Sequence, residues 1–212
     1  MKVVAPSDVR LAAEAVEAGE LVIVPTSRWY MICCDAGNAD ACARIFAAKQ
    51  RPVDKSLLLV ARSMDAVREL FSVSGDAELL ARAFWPGNLA LLLPWRDAAD
   101  GARHSAVGVP EALVTIAPGV LGELAKLVSC SVAATSANIS GTTGCGPSIT
   151  LAEVRDFVAG TQVDVPVVVD GGICPTANHL TVVRCASSDT ELVREGIVHT
   201  RAVSAALDKN RR

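Results

Sequence analysis

Short apolar runs, "LVIVPT", "SLLLVA", "LALLLP", "SVAATS" and a valine-rich stretch from Val165 to Asp170, recur along the 212-residue chain between segments of helical periodicity. Each run is bounded by turn-forming or polar residues and reads as a buried strand. Ser7 or Asp8 caps a helix running to about Ala18, with Leu11, Ala12, Ala15 and Val16 as its apolar stripe and Gly19 as its stop. Asn38 or Asp40 starts a second helix that carries Cys42, Ile45 and Phe46 and finishes near Lys49. Strand, helix and strand in this order predict an α/β fold with its ligand crevice at strand ends.

Further along, Ser63 opens a short helix to Phe71, and Gly75 precedes another, "DAELLARAF". "WPGN", Trp85 to Asn88, is a turn before "LALLLP". A charged loop from Arg96 to Ser105 leads into a short strand, "AVGVP". A helix around Val120 to Val128 precedes "SVAATS", and the Ser-, Thr- and Gly-dense segment from Ser136 to Thr150 is a loop that a ligand can order. A helix from Leu151 to about Ala159 and strands near Val165 to Asp170, Leu180 to Arg184 and Glu191 to Arg194 complete the pattern. One domain over residues 1–200 is expected, followed by a tail, 201–212, that can form an amphipathic helix with Val203, Ala206 and Leu207 toward the body.

Composition narrows the function classes. Asp8, Arg10 and Glu14 interrupt the N-terminal segment, which excludes a signal peptide or membrane anchor there, and no other segment is apolar and long enough to span a bilayer. A cytoplasmic protein with no membrane partner is therefore expected. Seven cysteines without a C-x-x-C pair suit a reduced compartment, most of them as small buried apolar residues. Histidines at 104, 179 and 199 lack metal-ligand spacing, so no protein-ligated zinc is expected. A net charge of −3 gives no overall attraction to nucleic acid but leaves room for a local basic cleft suited to an anionic small ligand.

The segment "KQRPVDKS" sets Lys49, Arg51 and Lys55 at the entrance to a buried strand. Alone it is consistent with a solvated helix exit. "PTSRWY" is likewise consistent with a strand-ending turn, and "TSANISG" with a polar loop. In their order, and together with "WPGN", these stretches resemble the YrdC/Sua5 family of threonylcarbamoyl-adenylate synthases. The matching motifs are Pro25-Thr26, Lys49-Gln50-Arg51, Trp85-Pro86-Gly87 and Ser136-Ala137-Asn138. "KQRPVDK" before an apolar strand is close to the short, single-domain branch, "LVREGIV" looks like the family's terminal Leu-x-Arg-x-Gly segment, and the resemblance extends from about Glu20 to Gly196. It implies a YrdC-like twisted mixed sheet with flanking helices and a concave electropositive cleft, without the extra C-terminal domain of the Sua5 branch.

The resemblance further implies a nucleotidyltransferase that joins L-threonine, bicarbonate and ATP into threonylcarbamoyl-AMP and releases pyrophosphate. Its product is passed to tRNA-modifying proteins acting on ANN-decoding tRNAs. A carbamate oxygen attacks the α-phosphorus, so no side-chain nucleophile is needed; alignment and charge neutralisation carry such reactions. Lys49, Arg51, Ser136 and Asn138 are then the expected catalytic set. Lys49 and Arg51, two apart in an extended segment, would project to one side and converge on phosphates or a carboxylate, as a point charge and a planar fork. The Ser136 hydroxyl and Asn138 amide would bind the same groups, with Thr135 and Ser140 beside them. Thr26 and Tyr30 would line the amino-acid side. Lys55 either contacts ligand or pairs with Asp54, and Arg194 either meets the outer phosphates or is a strand-end cation. Mg²⁺ is expected on ATP phosphates and water rather than in a carboxylate cage.

Several positions depart from the family pattern. "PTSRWYMI" has Arg28 where the family has threonine and Met31 where it has glycine, which can reshape the amino-acid pocket. "AVGVP" has Gly108 in place of an arginine, and "LTVV" keeps Thr181 but loses a serine. Arg28, Arg103 or His104 could restore the lost cation. Two alternatives stay open: an enzyme that makes or handles another carbamoyl-adenylate, as in carbamoyltransferase-related metabolism, and a non-catalytic nucleotide- or double-stranded-RNA-binding protein, which the acidic net charge disfavours.

Overall fold

The computed structural model describes residues 1–140, 146–185 and 190–208. Its strands are β1 Lys2–Val4, β2 Val22–Pro25, β3 Tyr30–Asp35, β4 Leu58–Val60, β5 Leu89–Pro94, β6 Glu111–Thr115, β7 Val132–Ser136, β8 Val167–Val169, β9 Thr181–Cys185 and β10 Thr190–Arg194. The helices are α1 Val9–Glu17, α2 Ala39–Lys49, α3 Met64–Leu70, α4 Gly75–Phe84, α5 Ala98–Arg103, α6 Gly119–Leu127, α7 Leu151–Thr161 and α8 Thr200–Asp208. Among the described residues the strands make one ten-stranded mixed sheet in the order β1-β8-β2-β3-β7-β4-β6-β5-β9-β10.

Strand alternation explains why the apolar runs are continuous. Ile23, Tyr30, Ile32, Leu59, Leu91 and Val114 belong to a core that also takes Ile45 of α2, Val67 of α3, Leu80 of α4 and Phe157 of α7. Their chain neighbours Val22, Val24, Met31, Cys33, Leu58 and Val60 belong to a second core with Ala12 and Val16 of α1 and Leu121 and Leu124 of α6. Both faces are covered, so neither can carry polar residues cheaply. Cys33, Cys34, Cys42, Cys174 and Cys185 are free and buried in these cores, Cys130 is half-buried, and Cys145 lies outside the described residues.

Helix ends follow local chemistry. Asn38, Ser63, Ser74 and Thr150 accept hydrogen bonds at the N-caps of α2, α3, α4 and α7, and Glu153 completes a capping box with Thr150. Asp8 precedes α1 without a side-chain capping bond. In α8, Val203 is buried, and Ala206 and Leu207 pack against the core; residues 209–212 of the tail lie outside the described residues.

Four features differ from the sequence reading. β3 follows β2 through a tight turn as an antiparallel neighbour, with Pro25 opposite Tyr30, so the first strand-helix-strand unit is a hairpin followed by a helix. β1 is a three-residue edge strand, too short to show a period, that exists by pairing with β8. The charged loop contains α5, capped by the Asp97 carboxylate. "AVGVP" is not a strand: Ser105–Val107 form a single 3₁₀ turn, and Gly108 at φ +113° breaks the extended run before β6 begins at Glu111.

Thr181, which carried the expectation of a ligand contact, has a structural task. It is fully buried, its hydroxyl donates to the Val198 carbonyl at 2.7 Å, and it accepts from the N–H groups of Gly196 and Val198 at 2.9 and 3.0 Å. Thr181→Val keeps the shape and strands three backbone groups. Urea unfolding should show a loss of about 1–3 kcal/mol; a change within about 0.5 kcal/mol would contradict this role.

Candidate active site

The β3–β7 ladder sets Met31 opposite Ser136, and the Ala137 N–H donates to the Tyr30 carbonyl at 2.9 Å. The turn after β2 and the Ser-Ala-Asn segment after β7 therefore leave the sheet at the same end. α2 reaches that end from the other direction. Its last turn closes with the Gln50 N–H on the Ala47 carbonyl and the Arg51 N–H on the Phe46 carbonyl, with Gln50 at φ 48°. This is a Schellman closure with glutamine at the left-handed position.

Lys49 is 1% exposed, and its amine joins the two segments. Nζ donates to the Ser136 carbonyl, to the Asn138 carbonyl at 2.6 Å and to Asn138 Oδ1 at 3.1 Å. The Lys49 carbonyl accepts from the Ser140 N–H at 2.7 Å. The Ser136 hydroxyl donates to Asn138 Oδ1 at 2.7 Å, and Asn138 Nδ2 donates to the Ile139 carbonyl at 3.0 Å. The structure brings Lys49 together with Ser136 and Asn138, but Lys49 and Arg51 are not an extended pair. Lys49 ends a helix, and all three N–H bonds of its protonated amine are spent on the loop. Burial, and then the charge of Arg51, lower its pKa to about 7.

Arg51 is half-buried in the loop that follows. Its Nε and Nη2 donate to the Lys55 and Ser56 carbonyls, both at 2.8 Å, and burial lowers its pKa. Three of its five N–H bonds are left for a ligand. Lys55 is exposed, and no ion pair links it to Asp54 among the described residues. Thr135 pairs with Ile32 and belongs to the opposite face of β7 from Ser136, so strand alternation separates the two hydroxyls.

The β2–β3 turn is built by Thr26. Its hydroxyl donates to the Trp29 carbonyl at 2.7 Å and accepts from the Arg28 and Trp29 N–H groups, so it shapes the turn. Tyr30 is fully buried. Its hydroxyl lies 2.8 Å from the Gly172 carbonyl and 3.1 Å from Asp170 Oδ1, accepts from the Gly171 N–H at 3.2 Å, and has a pKa raised by burial to about 12. Tyr30 ties the segment after β8 to the hairpin instead of lining an open pocket.

Arg28 projects from the same turn and is 5% exposed, its guanidinium 5.0 Å from the centre of the Trp29 ring. The Trp29 ring lies 5.1 Å from that of His179, edge to face. Arg194 is exposed as a residue, but its guanidinium is partly desolvated and donates through Nε and Nη2 to the Leu180 carbonyl at 3.2 and 3.1 Å. Trp29 and His179 were given no site role from the sequence: nothing in their spacing links positions 150 residues apart.

Gly108 cannot simply exchange with an arginine. A Cβ there would stand 2.5 Å from the Glu111 carbonyl and 2.8 Å from Ser56 Oγ, on backbone at φ +113°. Nor do Arg103 and His104 replace the lost cation. Arg103 is an exposed partner of Asp100 at 3.5 Å, and His104 stacks on Trp95 with Nδ1 2.9 Å from the Asp100 carbonyl.

Fold and site together define an α/β protein in which a buried lysine locks a Ser-Ala-Asn loop at the ends of sheet strands. The chain belongs to the Sua5/YciO/YrdC family, whose model, described by the words "telomere recombination", matches residues 14–196. It is 32% identical over 196 residues to the threonylcarbamoyl-AMP synthase of Pyrococcus abyssi, covering 89% of this chain and 54% of that one. It is 30% identical over 208 residues to the threonylcarbamoyl-AMP synthase of Bacillus subtilis, covering 92% and 55%. The chain thus spans about half the length of these curated relatives. The crystal structure of P. abyssi Sua5 complexed with L-threonine superposes with a TM-score of 0.85 at 26% identity, over 98% of this chain and 61% of that one. Among the described residues no helix is long and apolar enough to cross a membrane.

The Lys49 amine has a pH signature. It releases its proton near 7 when folded and near 10.5 when unfolded, so the unfolded chain binds more protons between those values. Its contribution to stability is present above 10.5 and is lost as pH falls through 7. Wild-type stability should therefore rise across that window relative to Lys49→Met, measured by urea unfolding at several pH values; a pH-independent difference would overturn the assignment.

Proposed function

We propose that this chain is an L-threonylcarbamoyladenylate synthase, forming threonylcarbamoyl-AMP and pyrophosphate from L-threonine, bicarbonate and ATP. The observation that carries the reading is the convergence of the Lys-x-Arg and Ser-x-Asn segments on one buried amine. The names of the P. abyssi and B. subtilis relatives, and the L-threonine bound to P. abyssi Sua5, support it.

Lys49 holds the Ser136–Ser140 loop in shape, and the arriving phosphates, by their negative charge, keep its amine protonated near neutral pH. Arg51 offers its remaining N–H bonds to phosphate oxygens as a fork. The Ser136 hydroxyl and Asn138 amide, already paired with each other, exchange partners with the ligand. These fixed donors oppose the charge that gathers as a carbamate oxygen attacks the α-phosphorus and pyrophosphate leaves. A Mg²⁺ ion would be carried by ATP phosphates and water rather than by a carboxylate cage of the protein. Residues 1–200 serve as the synthase domain around an electropositive cleft, in the cytoplasm, and the product goes to tRNA-modifying proteins.

Purified protein given ATP, bicarbonate and single amino acids should release pyrophosphate with threonine. Lys49→Ala and Arg51→Ala should each lower that turnover about 10²–10³-fold while the circular dichroism spectrum is retained. Full activity in both variants would remove the site; turnover with carbamoyl phosphate and no amino acid would point to the other carbamoyl-adenylate chemistry.

A further inference from the structure

We infer that Arg28, Arg194 and His179 form an oxyanion-binding subsite over the Trp29 ring, built from residues other than those of the Lys49 knot. Arg28 is 95% buried, being 5% exposed, and among the described residues its guanidinium has neither a carboxylate nor a hydrogen-bond acceptor. No fully occluded side-chain nitrogen or oxygen among the described residues lacks a partner. The Arg28 nitrogens must therefore each keep a contact with solvent, so this head group faces an opening and not a sealed core. The face of Trp29 holds it at 5.0 Å, His179 lies on the edge of the same indole, and the carbonyl of Leu180, the next residue, holds the guanidinium of Arg194.

The two guanidiniums and the imidazole are near enough to repel one another, and among the described residues none of the three forms an ion pair with a carboxylate. Arg28 loses part of its proton affinity to burial and then to the charge of Arg194, and its pKa falls to about 10, which leaves it charged at neutral pH. His179 is shifted down by burial, then by Arg194 and Arg28. Mutual repulsion of this kind is relieved by an anion, and the fork of an arginine selects a carboxylate or a phosphoryl group over a neutral or cationic ligand. Only the source of the oxyanion rests on the synthase reading, where it is the carboxylate of the amino acid or the outer phosphate of the nucleotide.

Calorimetric titration of the full chain with inorganic tripolyphosphate, L-threonine and L-threoninamide tests this. Arg28→Met keeps a straight apolar stem over Trp29 and removes the charge. It should weaken one anionic probe about tenfold or more. A loss confined to tripolyphosphate assigns the subsite to phosphate. A loss confined to L-threonine, with L-threoninamide already weak in the wild type, assigns it to the carboxylate. Unchanged binding in Arg28→Met, or no binding of either anion by the wild type, overturns the inference. Should Arg28→Met fail to fold, Arg194→Met must show the same selective loss. Turnover measured on the same samples separates the readings: Arg28-dependent binding without threonine-dependent turnover sinks the synthase alone, and turnover with Arg28-independent binding sinks the subsite alone.

Discussion

The amine of Lys49 is the interaction on which the site depends. An ammonium removed from water must find oxygen for each of its N–H bonds, and Lys49 finds them in the Ser136 carbonyl and in the carbonyl and side chain of Asn138. The loop after β7 is held by that demand, since its own sequence is rich in residues that favour no single conformation. The Schellman end of α2 aims the side chain, and the left-handed Gln50 turns the chain so that Arg51 folds onto the Lys55 and Ser56 carbonyls. Burial of this anchor, and then the charge of Arg51, lower its proton affinity, so a group that supports the architecture is also sensitive to an approaching anion.

A second set of constraints comes from the hairpin. Thr26 spends its hydroxyl on the turn and Tyr30 spends its own on the segment after β8. The family resemblance implied that both line the amino-acid side of the pocket. What the turn presents instead is Arg28 against the indole of Trp29. At Gly108 the backbone leaves no room for a Cβ. The chemistry a pocket offers depends on where charge is held more than on which strand supplies it.

Much of the fold was legible because burial on both faces of a sheet leaves a plain mark, a short run of valine, leucine, isoleucine and alanine closed by a polar or turn residue. β2, β4, β5 and β7 were read this way, and Asn38 and Ser63 marked helix starts through hydroxyl and amide chemistry that acts within a few residues. β3 escaped because "YMICCD" begins inside a motif and mixes residue types that no local rule assigns to a strand; its pairing with β2 and β7 makes it one. "AVGVP" misled for the opposite reason, since its valines suggest a strand that Gly108 breaks.

For the site, the sequence by itself determined which residue types were available and, through ordered motifs, that the Lys49 and Ser136–Asn138 segments belong together. Only the tertiary structure decided what each does. Lys49 became an anchor with every donor engaged, Thr181 and Tyr30 became ties, and Arg28, Trp29, His179 and Arg194 came together. The reason is physical: a side chain's role is set by which partners satisfy its hydrogen bonds and by how much water it keeps. Both depend on segments that are distant in the chain and adjacent only after the sheet has formed.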